Sequence, residues 1–242
     1  IGNVEWQQLL GGVNQEAAAS VSATSDGGCI ISGNSAVPSG GIFTGSGFGA
    51  TDGLVIKLSA SGAVEWYKLF GGSTTENILS VQQTADGGYI ACGVSASSNT
   101  GSLTGINGNG INDGWIIKMD NAGSLQWQRL LGGTANDLLS SVIQTPDGGY
   151  IAAGSSSSSN NGTLIGVPNN GGSDVWIIKI YNTGNLEWQR LLGGSLNDSA
   201  DGYSGAAIKR TAEGGYIVAA SSSSGFSGTL TGVNTNGMSD YW

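Results

Sequence analysis

The same unit recurs four times along the chain, and this periodicity constrains the fold more than any other feature. In each copy a Trp is followed five residues later by a Gly pair. The Trp residues of this motif are Trp6, Trp66, Trp127 and Trp188, which are almost evenly spaced. Self-similarity at such a regular period indicates a repeat architecture in which each unit is one supersecondary motif.

Two further motifs divide each unit. A turn motif, Thr-x-Asp-Gly-Gly, follows the Gly pair at one fixed distance in three copies, and a Glu-containing version arrives five residues late in the fourth. These motifs begin at Thr24, Thr84, Thr145 and Thr211. An Asp then opens an apolar run of the type Asp-x-Trp-Ile-Ile-Lys. Its four copies begin at Asp52, Asp113, Asp174 and Asp240.

The motifs predict four short strands per unit and no helix of useful length. In the third copy of the turn motif the strands are predicted at 138–144, 149–154, 176–180 and 186–192. Asp-Gly-Gly is typical of a tight hairpin, because Gly supplies the positive φ that such turns need. The predicted unit is therefore a four-stranded antiparallel meander.

Both faces of these strands carry large apolar side chains, so each sheet must pack against a neighbour on either side. The fold class is all-β, and we expect one β-propeller domain over 1–242 with repeats at about 1–61, 62–122, 123–183 and 184–242. Four units either close a four-bladed ring or form part of a longer propeller or array. Pairing of residues 4–10 with the last unit would close the ring.

The Asp-x-Trp-Ile-Ile-Lys, Gly-x-Leu-x-Trp and Leu-Gly-Gly-x-x-x-Asp motifs, with Asp-Gly-Gly-Tyr-Ile, resemble the SBBP-type β-propeller repeats of bacterial secreted and surface proteins. The resemblance covers nearly the whole chain and implies a secreted or cell-surface location. It implies no catalytic residue. The chain departs from the pattern in a long Ser/Asn/Gly loop before each third strand.

Charge and composition exclude several function classes. The net charge is −9 with eight Lys and Arg, which disfavours nucleic-acid partners because they require clustered basic residues. No run approaches the roughly 18 apolar residues of a membrane-spanning helix, so no membrane insertion is expected. Since the sequence begins inside a repeat, we expect the natural N-terminus to lie upstream. Cys29 and Cys92 are predicted to be free thiols.

The absence of His removes Ser-His-Asp and Cys-His triads and most zinc sites. Nearly every acid occupies a repeated turn position, which is typical of a structural role, and we therefore predict no enzymatic activity. The enzyme alternative is a glycan hydrolase with two carboxylates in a cleft near the axis.

Calcium is the one cofactor that the sequence suggests, because Asp and Asn oxygens are ligands that Ca²⁺ accepts. The alternative is that these side chains cap their own turns. The candidate ligands are Asp52, Asn107, Asn109, Asp113, Asp174 and Asp240.

Strand order places the two tight turns of each unit at one end of its sheet, the hairpin end. The long loops at 34–51, 95–112, 155–173 and 221–239 and the Gly-pair connections share the opposite end, the loop end. The fourth Gly-pair connection, around 196–205, is five residues longer than its siblings. If the chain has one unique ligand site, we expect it there, and the candidate residues are Asn197, Asp198, Asp201 and Tyr203.

These observations predict a non-enzymatic module for adhesion or structural assembly, with other copies of itself or neighbouring surface proteins as partners. A lectin that binds neutral surface glycans through the Ser/Asn loops is the alternative. The Trp residues are expected to pack between sheets. Lys57 is expected to face Glu65, and Lys179 to face Glu187, across the second hairpin.

Overall fold

The computed structural model describes residues 2–36, 41–43, 47–200, 208–232 and 239–241. Within them the chain is all-β and forms antiparallel four-stranded sheets in series. The first sheet contains β1 (Glu16–Ala23), β2 (Cys29–Ser35), β3 (Asp52–Leu58) and β4 (Val64–Phe70). The second contains β5 (Glu76–Gln83), β6 (Tyr89–Ser95), β7 (Asp113–Met119) and β8 (Leu125–Leu131). The third contains β9 (Asp137–Gln144), β10 (Tyr150–Ser156), β11 (Asp174–Ile180) and β12 (Leu186–Leu192).

Each of these sheets is a meander in which consecutive strands pair, which confirms the predicted unit. The turn motif lies between the first two strands of each sheet, and Gly27 within it has a φ of 83°. The carboxylate of Asp26 accepts the N–H of Gly28 at 3.0 Å. The Asp of the motif therefore caps its own hairpin.

The fourth unit is more broken. Its described strands are β13 (Asp198–Ser199), β14 (Ile208–Arg210), β15 (Tyr216–Val218), β16 (Ser221–Ser222) and β17 (Asp240–Tyr241). They form one three-stranded piece, β13-β16-β17, and one two-stranded piece, β14-β15. The same meander order runs through both pieces.

The sheets pack face to face, and the core lies in the layers between them. Trp115 and Ile117 of the second sheet pack against Val55 of the first, whereas Ile116 packs on the side of the third sheet. Successive residues of a strand thus pack on opposite faces of the sheet, because side chains alternate along a strand. A smaller layer joins the third sheet to the fourth unit.

The first strands of all four units come together. A cavity of about 290 Å³ is lined by residues of β1, β5 and β9 and by Lys209 of β14. Side chains bridge neighbouring first strands, as when Gln82 Nε2 donates to the carbonyl of Val142 at 3.0 Å. The first strands of the units therefore meet at one cavity, and the Trp-bearing strands β4, β8 and β12 form the opposite edges of the three full sheets.

Within the described residues no strand pairing closes the series between the first sheet and the fourth unit, and this open side is called the seam. An apolar groove of about 280 Å³ lies there between the first sheet and the N-terminal segment, lined by Leu9, Leu10, Ile31, Leu54 and Ile56. Ile217 of the fourth unit is 62% exposed, whereas its repeat equivalents are buried. Residues 4–10 form no strand, so the predicted pairing of this segment with the last unit is not observed.

The described residues contain only two helical segments, the 3₁₀ turns Gly101–Leu103 and Gly162–Leu164. Neither is long or apolar enough to cross a membrane. Cys29 is half-buried and Cys92 is buried, and both thiols are free, as predicted.

Candidate functional site

Buried acids gather at the loop end, where β3, β7 and β11 begin. Asp52, Asp113 and Asp174 are the first residues of these strands, and each is at most 2% exposed. The Oδ2 atom of each accepts a backbone N–H from the loop four residues upstream. For Asp52 the donor is Phe48, at 2.8 Å. The predicted turn capping is thus real, but it engages only one carboxylate oxygen.

A second buried acid lies beside each of these Asp residues, on the next sheet. The backbone N–H of Glu76 donates to the carbonyl of Thr51, the residue before Asp52, at 2.8 Å. The same inter-sheet bond joins the residues next to Asp113 and Asp174 to the second acids there, Asp137 and Asp198. The three junctions therefore carry the pairs Asp52–Glu76, Asp113–Asp137 and Asp174–Asp198.

The Gly pair explains why two acids can approach so closely. A Cβ atom at Gly71 would lie closer than 3.0 Å to both Asp52 Oδ1 and Glu76 Oε2. A Cβ atom at Gly193 would likewise collide with Asp174 Oδ1 and Asp198 Oδ2. The first Gly of the pair leaves the space into which both carboxylates point.

The two acids of a pair differ in their hydrogen bonds. Asp137 accepts the N–H of Gly133 at 2.8 Å, the hydroxyl of Ser158 at 2.8 Å, and the hydroxyl of Ser156. In contrast, the buried Oδ1 atoms of Asp52, Asp113 and Asp174 have no hydrogen-bond partner. One acid of each pair thus accepts several hydrogen bonds from the protein, whereas one carboxylate oxygen of the other acid accepts none.

Electrostatics follow from this geometry. Burial raises the pKa of Asp52, Asp113 and Asp174, and the negative charge of the partner acid raises it further. No ion pair within the described residues involves these acids. Two like charges therefore share a dry site without a protein cation.

The other predicted calcium ligands have different surroundings. Asn109 donates its backbone N–H to Asp113 Oδ2 at 2.9 Å, so it lies at the second junction. Asn107 is exposed in the same loop. Asp240 opens the short strand β17 of the fourth unit and is half-buried. The second acids Glu76 and Asp137 were not predicted as ligands, although an acid follows each Gly pair by four residues in every copy.

Charges at the hairpin end are paired instead. Lys57 Nζ lies 3.2 Å from Glu65 Oε2, and Lys179 Nζ lies 3.1 Å from Glu187 Oε2, as the sequence predicted. The sequence did not reveal the closer partner, which is the Asp of the turn motif. Lys57 Nζ is 2.8 Å from Asp26 Oδ2.

The second sheet shows the same pairing through Asp86 and Lys118, at 2.9 Å. Burial acts to raise the pKa of Asp86, but hydrogen bonds from Thr84, Lys118 and the N–H of Gly88 outweigh it and lower the pKa to about 2. The hairpin end is therefore an internally neutralised, structural charge system.

The long loops are fastened to the Gly pairs. In the third unit the N–H of Thr163 donates to the carbonyl of Gly132 at 2.8 Å, and the hydroxyl of Thr163 accepts the N–H of Gly132 at 2.8 Å. The neighbouring Leu164 is fully buried in the layer between the second and third sheets. Leu103 and Leu230 hold equivalent buried positions. The loops at 95–112 and 155–173 therefore cover the junctions, a role that their Ser/Asn/Gly composition did not indicate.

The residues predicted to form a unique ligand site divide into two groups. Asn197 accepts the N–H of Ser173 at 3.1 Å, and Asp198 is fully buried at the third junction, where it hydrogen-bonds to Gly194 and Ser224. Both side chains hold the fourth unit against the third sheet. Asp201 and Tyr203 lie outside the described residues.

Two of the outer-strand Trp residues, Trp66 and Trp127, pack against the next sheet as predicted, whereas Trp188 is 40% exposed. Trp66 makes an edge contact with Tyr89, with ring centroids 5.5 Å apart. Trp127 packs near Tyr150, and its indole N–H donates to the carbonyl of Asn182 at 3.0 Å.

The arrangement limits the chemistry available. The acid pairs are too deeply buried for a sugar to reach, and the described residues that line the central cavity include no acid. Within the described residues no cluster combines three or more His, Cys, Asp or Glu side chains for a metal ion. Any ion at a junction would therefore be held by two carboxylates and neutral oxygens.

No protein-family model matches the chain, and no curated protein is detectably similar to it in sequence.

Proposed function

We propose that the chain is a non-enzymatic module of secreted or cell-surface proteins, of the SBBP-type β-propeller kind, that works by adhesion or structural assembly. The observation that carries the proposal is the seam between the first sheet and the fourth unit. There, the Ile217 face of the fourth unit is uncovered, and the first sheet carries an apolar groove of the kind that receives the equivalent Ile inside the chain.

The propeller arrangement is supported by the convergence of the four first strands on one cavity. It is also supported by the N-terminal segment. A Cβ atom at Gly62 would collide with the ring of Trp6, and Cβ atoms at Gly123 and Gly184 would collide in the same way with Trp66 and Trp127. The segment around Trp6 thus holds the position that a fourth strand takes beside the following sheet. The four units are blades around one axis, with one open seam.

The two sides of the seam are complementary. Ile30, Ile90 and Ile151 are each at most 2% exposed because each packs against the next sheet or unit. Ile217 holds the equivalent sequence position, directly after the aromatic residue of the turn motif. The groove on the first sheet is formed by residues equivalent to those that receive Ile30 and Ile90 at the closed junctions.

The occupant of the groove is the Ile217 face of a second copy. In a single chain Ile217 is 62% exposed and therefore does not fill this groove, although the groove residues Leu54 and Ile56 are themselves at most 5% exposed. Burial of apolar surface stabilises a complex by about 25 cal/mol per Å², which favours covering the groove and the Ile217 face. The second copy would dock with the same sheet-to-sheet packing that is already present inside the chain. Asp240 and Glu16 lie on the two sides of the seam and would add a fourth acid pair.

Oligomeric state tests this proposal. We expect wild-type protein to associate reversibly in sedimentation velocity over a wide concentration range. Ile217→Lys should abolish association, because a buried Lys would lack a partner. Ile165→Lys is the matched control, since Ile165 is 76% exposed but lies at the loop end of the third unit. A wild-type protein that stays monomeric at every concentration would show that the chain closes its own seam.

A glycan array with calcium present tests the lectin alternative separately. Binding to one class of neutral glycan, unchanged by Ile217→Lys, would replace assembly with carbohydrate recognition at the loop end. Silence on the array together with self-association supports the assembly module.

A further inference from the structure

The acid pairs at the three closed junctions are the least satisfied polar groups in the described part of the chain. At each pair one carboxylate oxygen is buried without a donor, namely Oδ1 of Asp52, Asp113 and Asp174. These Asp residues are at most 2% exposed, so bulk water does not solvate them. A buried charged group without a partner costs several kcal/mol, and the same cost recurs three times.

No basic side chain within the described residues forms an ion pair with these acids. The basic residue on the same strand as Asp52 is Lys57, five residues along, which places it roughly 17 Å away at the rise of a β-strand. It is engaged there by Asp26 and Glu65. The second and third sheets repeat this separation, with the lysine at the hairpin end and the acid pair at the loop end.

The unsatisfied oxygen points toward the second acid. At the first and third junctions, a single position beside the Gly pair lies closer than 3.0 Å to one oxygen of each carboxylate. The two oxygens therefore lie within about 5 Å of each other, and one Ca²⁺ with Ca–O distances of roughly 2.3–2.6 Å could bridge them. At the second junction the N–H of Asp137 donates to the carbonyl of Asn112 at 3.0 Å, the same inter-sheet bond as at the other two junctions.

The donor set selects a hard cation. Only carboxylate, carbonyl and hydroxyl oxygens surround the junctions, and the chain contains no His. Ca²⁺ accepts irregular sets of carboxylate and neutral oxygens, whereas Mg²⁺ demands near-octahedral geometry and retains its waters. With two carboxylates per site, affinity should fall in the weak range of extracellular calcium modules, about 10⁻⁴–10⁻³ M.

We propose that each closed junction binds one Ca²⁺ between its two buried carboxylates, at Asp52–Glu76, Asp113–Asp137 and Asp174–Asp198. The ion neutralises the pair and ties the first residue of a third strand to the first residue of the next sheet. The predicted calcium ligands Asp52, Asp113 and Asp174 thus acquire second ligands that lie one sheet further along the chain.

Calorimetric titration of the full chain with CaCl₂ tests the proposal. Carrying Ile217→Lys in every protein keeps calcium binding separate from association. We expect three sites, and an increase in melting temperature on the order of 5 °C per occupied site at saturating calcium. MgCl₂ at the same concentration should give a much smaller increase, and excess chelator should reverse the effect.

Asn variants separate a calcium site from a merely structural acid. Asp52→Asn, Asp113→Asn and Asp174→Asn should each remove one site from the stoichiometry. Without calcium each variant should melt at or above the temperature of its parent, because one of two repelling buried charges is gone. Asp120→Asn is the control, since Asp120 caps an exposed turn by accepting the N–H groups of Ala122 and Ser124. It should retain all three sites.

Two results would overturn the proposal. One is a parent protein whose melting temperature and titration heats do not respond to calcium. The other is a set of Asn variants that keep the parent stoichiometry while melting at lower temperature without calcium. The second result would show that the acids are structural acceptors and that the bound calcium lies elsewhere.

Discussion

Replacing Leu164 by Ala tests whether the long loops hold the sheets together. Leu164 follows the threonine that is hydrogen-bonded to Gly132, and its side chain is fully buried between the second and third sheets. Ile165, the next residue, is 76% exposed. Adjacent positions in one loop thus provide a buried and an exposed side chain of the same size.

The magnitude follows from burial. Removing a fully buried Leu side chain loses about 1.5–3 kcal/mol of transfer free energy, and the cavity left behind brings the total to about 2–5 kcal/mol. For a chain of this length each kcal/mol lowers the melting temperature by roughly 2–4 °C. We therefore expect Leu164→Ala to melt on the order of 10 °C below wild type, and Ile165→Ala to stay within about 0.5 kcal/mol of it.

Urea unfolding followed by Trp fluorescence measures the free energy, and limited proteolysis reports whether the loop opens first. Trp127 and Trp176 lie at the same junction as Leu164, so their emission should report its loosening. Equal stability of the Leu164→Ala and Ile165→Ala proteins would refute the reasoning. It would mean that the loop covers the junction without supporting it.

Two other predictions concern the hairpin end. Gly184 and Gly148 have φ values of 82° and 83°, but a Cβ atom would meet the Trp127 ring at 2.8 Å only at Gly184. Gly148→Ala should lower the free energy of unfolding by about 1–2 kcal/mol, because Ala is strained at this positive φ. Gly184→Ala should lower it further and shift the Trp emission. Equal losses in the two variants would contradict the packing role of Trp127. Asp86→Asn should lose roughly 1–3 kcal/mol, because it leaves the amine of Lys118, 3% exposed, without its ion-pair partner. Adding Lys118→Met should recover most of that loss in a double-mutant cycle, and an additive cycle would contradict the pairing. Because the pKa of Asp86 is lowered from 3.8 to about 2 on folding, its contribution is complete above about pH 4 and disappears as the pH falls through about 2. Acid titration should therefore show a smaller loss of stability in the Asp86→Asn protein than in wild type, because among the described residues only Asp26 and Asp147 then keep a pKa lowered in the same way.

The sequence was most informative where interactions are local. The hairpin turns and the meander follow from the turn motifs, because two strands joined by a tight turn have a fixed register. The predicted contact between Lys57 and Glu65 is present, but the predicted register is wrong, since Lys57 lies opposite Trp66 beside a β-bulge. Alternation of apolar residues, as at Trp176 and Ile177, also correctly predicted that both faces of the third sheet are covered.

Contacts between sheets could not be predicted in the same way. Asp52 and Glu76 are far apart in the sequence and belong to different sheets, so their approach depends on how one sheet is placed on the next. Asp26 lies in the turn between β1 and β2, whereas Lys57 lies on β3. Pairing across the hairpin that joins β3 to β4 therefore does not predict their contact. The repeated acid four residues after each Gly pair was the available signal. Its meaning becomes clear only once the Gly pair is seen to make room for two carboxylates.

The two ends of each sheet handle charge in opposite ways, and this difference bears on which partners the chain can accept. The three lysines of β3, β7 and β11 lie at the hairpin end, where Asp and Glu neutralise them. The chain has only eight basic residues against 17 acids, so the buried acids of the loop end keep an excess of negative charge. Electrostatic potential extends about 8–10 Å at physiological ionic strength, which is enough to reach a molecule resting on the loops. The loop end should therefore repel anionic surfaces and concentrate cations. Calcium at the junctions would reduce this repulsion, so the ionic conditions that stabilise the fold are also those that open the loop end to neutral or acidic partners.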